Sequence, residues 1–182
     1  MELPIKKTLK HPKACTDKRR IYQERIEAHK SLGRLIVYSD ESGFAHDMPR
    51  THGYALKGKR CYGSCDWGAK GRTNVIGALL GQALLTVALL KGNVNTEVFI
   101  AWVEQDLIPK LPTESVLVVD NAAFHKDPRI RDLLEASGHF LEYLPPYSPD
   151  LNPIEKKWAQ AKKLRRKIQG SIEDLFRNHI IL

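Results

Sequence analysis

The chain predicts an α/β fold: a mixed sheet, opening as a three-strand antiparallel meander and continuing with parallel strands, flanked by helices. Three observations carry this. Runs rich in β-branched and aromatic residues crowd the stretch from residue 34 to residue 92. Beyond residue 95, helix-period and strand-like segments alternate, the order expected of parallel strands joined through helices. The run VLVV (116–119) is apolar at every position, which marks a strand covered on both faces.

Residues 16–31 read as a helix with Thr16 as a plausible cap and basic residues on the exposed side. RLIVYSDES (34–42) ends a β-rich run in acid and Ser-Gly, so it is a strand. RTNVIGALLG and ALLTVALLKG form two further strands around a Gly81-Gln82 turn. NTEVFIAWVEQDLIPKL (95–111) carries Val98, Ile100, Ala101, Trp102, Val103 and Leu107 at helical spacing, and Pro109 ends it. ESVLVVDNAAFH is the cleanest strand, yielding to a loop at Asp120 and Asn121. DPRIRDLLEASG is a short helix closed by Gly138, and HFLEYLPP a strand stopped by Pro145 and Pro146. The turn YSPDL then leads into a basic helix with Asn152 as cap, Pro153 at its first position and Glu155 at its third, the place of a capping-box glutamate. Its apolar stripe is Ile154, Trp158, Ala161, Leu164 and Ile168. A last short helix opens at Ser171, with Asp174 three residues on. Residues 1–33 are thus a basic lead-in and one helix, and residues 34–182 the sheet domain.

At 182 residues with 42% hydrophobic and 27% charged content, the chain can bury a core as a single globular domain. A net charge of +8 favours polyanionic partners, nucleic acid first. Cys15, Cys61 and Cys65 are an odd set without zinc spacing, which suits a reducing cytoplasm. The most apolar stretch, residues 75–90, is broken by Gly77, Gly81, Gln82 and Thr86, and falls short of the ~20 apolar residues a membrane helix needs. No membrane partner is expected, and the polar N-terminus lacks the apolar centre of a signal peptide.

Three acids stand where folding does not ask for them. Asp40 follows LIVYS, Asp120 follows VLVV, and Glu155 lies just inside the basic helix. Each has an ordinary reading: a turn former for the aspartates, a capping box for the glutamate. Together they are hard oxygen donors able to hold two Mg²⁺ ions, or Mn²⁺ in their place, about 4 Å apart for phosphodiester chemistry. Glu41, next to Asp40 on a strand, should face the other way. Trp67, Trp102 and Trp158 read as core.

YSDESGF, VVDNAAFH and LPPYSPDLNPIEKKWAQAK, in that order, closely resemble the catalytic motifs of DDE transposases of the mariner-like superfamily, nearest its bacterial insertion-sequence branch. The 34 residues between Asp120 and Glu155, and the 80 positions from Asp40 to Asp120, fit the resemblance. So do DMPRTHGYALKGKR and DWGAKGRTNVIGALLG, and the likeness runs from about residue 10 to the C-terminus. It implies a ribonuclease H-like fold and two-metal, Mg²⁺-dependent cleavage at transposon ends. Attack of the freed 3′-hydroxyl on target DNA would follow, in a homodimeric complex with DNA. It implies Asp40, Asp120 and Glu155 as catalytic metal ligands and Asn121 and His125 as companions behind them, Asn121 orienting Asp120 and His125 near the scissile phosphate or attacking water.

The basic helix surface, Lys156, Lys157, Lys162, Lys163, Arg165, Arg166 and Lys167, places seven cations in twelve residues without an acid, a pattern for phosphate contact. Arg50, His52, Lys57, Lys59 and Arg60, interleaved with Tyr54 and Tyr62, form a second candidate track. Only about 33 residues precede the first strand, too few for the helix-turn-helix region with which full-length relatives read element ends. Such a region is expected as a separately encoded partner. A catalytically idle DNA-binding or dimerising remnant is the competing reading, and the presence of all three acids favours the enzyme.

Overall fold

The computed structural model describes residues 13–47, 55–60, 62, 71–168 and 170–180. Helix α1 (Thr16–Ser31) leads into a five-stranded sheet: β1 (Ile36–Ala45), β2 (Arg72–Leu80), β3 (Ala83–Leu90), β4 (Val116–Val119) and β5 (Phe140–Tyr143). The strand order is β3-β2-β1-β4-β5. β1–β2 and β2–β3 pair antiparallel, whereas β1–β4 and β4–β5 pair parallel, as the sequence pattern predicts. The hairpin turns at Gly81 with φ +61, a conformation glycine adopts without strain.

Helices cover both faces. α2 (Thr96–Trp102) widens into a π-helical turn (Val103–Leu107) and closes in a 3₁₀ turn around Pro109. With α3 (Pro128–Ala136) it buries Phe99, Trp102, Ile130 and Leu134 against Val37, Ile76, Ala78, Leu117 and Val119. On the opposite face α4 (Ile154–Ile168) sets Ile154, Trp158 and Ala161 on Phe44, Val75 and Leu79. α5 (Ile172–Asp174) is capped by Ser171, whose Oγ accepts from the Asp174 N–H at 3.0 Å, as expected. The same face seats Tyr22 and Ile26 of α1 on Val116, Val118 and Leu144. All four residues of β4 are fully buried, which accounts for their unbroken apolarity.

Two local expectations are corrected. Thr16 is the first helical residue of α1 and Cys15 occupies the cap without a side-chain bond. The α4 stripe also differs: Leu164 and Ile168 are only partly buried, while Arg165 is 7% exposed. The Arg165 guanidinium donates to the carbonyls of Ala45 and, at 2.9 Å, His46, so it serves the fold at the end of β1 and leaves the set of surface cations.

Gly77 lies opposite Asp40 in the β1–β2 ladder, and the Trp158 ring fills the space its missing side chain leaves. A Cβ there would stand 2.6 Å from the ring. Gly77→Ala is therefore expected to cost about 1–3 kcal/mol through overpacking. Thermal melting and the near-ultraviolet dichroism of Trp158 would report it; an unchanged dichroism would refute the contact.

Candidate active site

The parallel register aligns Tyr38 with Val118, and two residues further on it sets Asp40 level with Asp120 on the same face of the sheet. Asp40 is 9% exposed, and the Trp158 indole N–H donates to its Oδ2 at 3.1 Å. Burial, then the nearby charges of Glu155, Glu41 and Asp120, push its carboxyl up to about 8.

Asp120, immediately after β4, is held differently. Its Oδ1 accepts from the Ala122 N–H at 2.8 Å and from His125 Nδ1 at 2.7 Å. Chiefly through the His125 bond, its carboxyl is drawn below the ordinary range. His125 is fully buried, and its Nε2 donates at 3.0 Å to Glu41 Oε1. Burial alone would lower the imidazole, but the two carboxylates outweigh it and raise it to about 9, so both nitrogens carry protons. Phe99 and Phe124 pack its ring at centroid distances of 4.3 and 4.1 Å. As the pleat requires, Glu41 faces away from Asp40; it supports His125 from the other side of the sheet. That role was missed because nothing in sequence pairs residue 41 with residue 125. The structure places His125 behind Asp120, with both nitrogens taken by carboxylates inside the protein rather than turned towards phosphate or water.

Glu155 enters from α4, exposed, and among the described residues no hydrogen bond or ion pair engages its carboxylate. The capping box is absent. Asn152 offers its backbone carbonyl to the Glu155 N–H at 3.3 Å, while its own Oδ1 is buried without a partner. The segment before the helix is pinned elsewhere: Asn121 Nδ2 donates to the Leu144 carbonyl, and Arg19 grips Asp150 with two bonds of 2.9 and 2.6 Å. The Asn121 amide thus ties β4 to the proline segment instead of orienting Asp120. Tyr147 holds φ +56 there, left-handed backbone that a non-glycine residue adopts only where its surroundings enforce it.

Asp40, Asp120 and Glu155 line one cavity of about 260 Å³, with Asn121, Asn152 and the segment Leu144–Pro149 as its other walls. Residues 80 and 35 positions apart thus face a common space. Among the described residues, no group of three His, Cys, Asp or Glu side chains is disposed to hold one metal ion as it stands. The donor chemistry nevertheless fits a hard cation: an acid raised by burial and by its neighbours' charge, and a glutamate on the same wall that pairs with none of the described residues.

Of the candidate DNA contacts, Lys57, Lys59, Arg60, Lys156 and Lys163 are exposed, and Lys162 and Arg166 half-buried. Lys162 Nζ lies 5.5 Å from the centre of the Phe44 ring. Arg50, His52, Tyr54, Cys61, Cys65 and Trp67 lie outside the described residues. No helix of the described residues is long and apolar enough to cross a membrane.

A family model described as "DDE superfamily endonuclease" matches residues 35–175. The chain belongs to this superfamily. No curated protein matches it. Among solved structures, this DDE endonuclease chain is similar to the Mos1 transposase paired-end complex with left transposon end, at 18% identity and TM-score 0.69, over 90% of this chain and 53% of the other. A mariner Mos1 paired end complex with Mg matches at 18% identity and TM-score 0.67, over 98% and 60%. The catalytic domain of Mos1 mariner transposase matches at 16% identity and TM-score 0.59, over 93% and 82%. At such identities the likeness carries the fold, which is ribonuclease H-like as the resemblance of its motifs implies. The DDE chain spans little more than half the length of the transposases in those first two complexes.

Proposed function

We propose that this chain is the catalytic part of a DNA transposase, cleaving phosphodiesters at transposon ends and passing the freed 3′-hydroxyl to target DNA. The observation that carries the reading is the convergence of Asp40, Asp120 and Glu155 on one cavity, with Asp40 pushed up to about 8 by burial and adjacent charge. Apposed carboxylates destabilise one another unless a cation or proton intervenes. Membership of the DDE endonuclease superfamily supports the same chemistry, as does the likeness to Mos1 complexes bearing transposon-end DNA or divalent metal.

Asp40, Asp120 and Glu155 are the residues that would hold Mg²⁺ or Mn²⁺. Bound there, such ions, two in this reading, would supply Lewis-acid activation of the attacking oxygen and charge stabilisation of the departing one. The protein's own part is placement. His125, fixed by Glu41, holds one oxygen of Asp120. Trp158 holds one oxygen of Asp40. The start of α4 sets Glu155, the third donor. Exposed Lys156 and Lys163 on α4, and Lys57, Lys59 and Arg60 in the 55–60 segment, would take the DNA backbone. The work would be done in the cytoplasm, with a second copy of the chain in the DNA complex and a separate helix-turn-helix region reading the ends.

The test is nicking of end-bearing DNA with Mg²⁺ or Mn²⁺, wild type against Asp120→Ala. Metal-dependent nicking lost in the variant is expected; nicking that survives the substitution would overturn the assignment.

A further inference from the structure

A second concavity, of about 190 Å³, abuts the acid cavity on the far side of the proline segment. The two share Asn121, Leu144, Pro145 and Pro146 as a common wall. Its outer wall is one face of α1, where Lys18, Ile21, Tyr22 and Arg25 recur at helical spacing. Ile21 is 46% exposed, an apolar surface that the fold leaves uncovered, and Lys18 is exposed beside it.

The hollow thus has an apolar floor with a cation on either side. Lys18 and Arg25 are seven residues apart, about 10 Å along the helix. The volume exceeds the roughly 150 Å³ that accommodates benzene in an apolar cavity. Its wall is fixed by Arg19, which binds Asp150 on the proline segment. Arg25 pairs with Glu142 through Nη2 alone, at 3.2 Å, and its side chain is otherwise about half exposed, so the rest of its guanidinium can meet a phosphate. A flat ring joined to phosphates fits this pattern, and a ligand of that kind is at hand in the neighbouring cavity if it takes DNA.

We propose that this hollow holds a nucleotide of a DNA single strand that continues from the phosphodiester in the acid cavity over the proline segment. The base rests against Ile21 and Pro146, and Lys18 and Arg25 meet the phosphates. The inference rests on the acid cavity being the cleavage site, and it gives α1 a use beyond packing: it holds the strand next to the one being cut. The surface cations of α4 and the 55–60 segment are separate from it.

The test uses the full chain and a single-stranded oligonucleotide carrying 5-iodouracil. Irradiation is expected to crosslink the base to peptides of α1 or the proline segment, and Ile21→Asn to abolish that crosslink. Each of Lys18→Ala and Arg25→Ala should reduce the slope of log affinity against log salt by about 0.7, the contribution of one single-strand phosphate contact. Both side chains are solvent-facing, so unchanged thermal melting would exclude misfolding as the cause. Crosslinks confined to α4, with salt slopes unaltered in both variants while Asp120-dependent nicking persists, would overturn the strand site alone. Crosslinks on α1 without any Asp120-dependent nicking would instead overturn the cleavage reading, and with it the claim that this strand continues from a cut phosphodiester.

Discussion

Asp40→Asn is expected to abolish metal-dependent nicking while making the metal-free protein more stable at pH 8. Loss of a metal ligand removes several kcal/mol of transition-state stabilisation, about 10³-fold in rate at about 1.4 kcal/mol per decade. The stability change runs the other way. Burial, aided by Glu155, Glu41 and Asp120, pushes the Asp40 carboxyl from 3.8 up to about 8. The folded state therefore binds a proton that the unfolded chain has released, and stability falls as pH rises from about 4 to about 8. At about 1.4 kcal/mol per unit, the ionised carboxylate costs the fold several kcal/mol at the top of that window. An asparagine oxygen can still accept from the Trp158 indole, and it carries no charge. A domain of this size shifts roughly 2–4 °C per kcal/mol, so after the cost of burying the amide itself a rise of about 5 °C is expected. The gain should shrink as pH falls towards 4 and vanish below the unfolded value of 3.8, where wild-type Asp40 is protonated in both states. Mg²⁺ should raise the melting temperature of wild type and leave the variant unmoved. A variant less stable than wild type at pH 8 in chelator would show that Asp40 is not under this repulsion.

The split between what the sequence displayed and what it hid follows from the range of the interactions. β4 was legible because burial on both faces leaves an unmistakable apolar run. The β2–β3 hairpin was legible because Gly81 and Gln82 interrupt two such runs. Asp120 stood out as a charge ending an apolar strand; Asp40, read the same way, in fact lies in the middle of β1, which runs on to Ala45. Their convergence needed only the parallel register of β1 and β4. Arg165 was misread because its long side chain folds back to carbonyls at the end of β1, a contact about 120 residues away in sequence that no helical period announces. The capping box at Glu155 failed for a related reason. A motif of four residues competes with tertiary placement, and here Asn152 is buried with its side-chain oxygen unpartnered while Glu155 faces the acid cavity. Short-range rules held wherever nothing distant overrode them. The functional acids were set by the sheet.

The other large effect belongs to the chain Glu41–His125–Asp120. His125→Asn is expected to destabilise the protein by about 3 kcal/mol or more, because it leaves two carboxylates facing an imidazole-sized gap between Phe99 and Phe124. Stability from the His125 pair is present in full below the ordinary imidazole value of 6.5 and is lost as pH rises through about 9. The pH dependence of melting between those values, measured in chelator, should therefore flatten in the variant. Glu41→Gln separates structure from function. The amide oxygen can still accept from Nε2, so the fold should lose little, but the imidazole loses one of the two charges that hold it protonated. Asp120 is then gripped less firmly, and a weakened support behind a metal-binding carboxylate typically lowers metal affinity 10–100-fold. The expected signature is a higher Mn²⁺ concentration for half-maximal nicking, with maximal rate recovered at saturating metal. A Glu41→Gln protein that melts like wild type and titrates with Mn²⁺ like wild type would mean that Glu41 merely fills space behind His125. A rightward metal titration with an intact fold would show that the far face of the sheet helps to set the geometry of the acids on the near one.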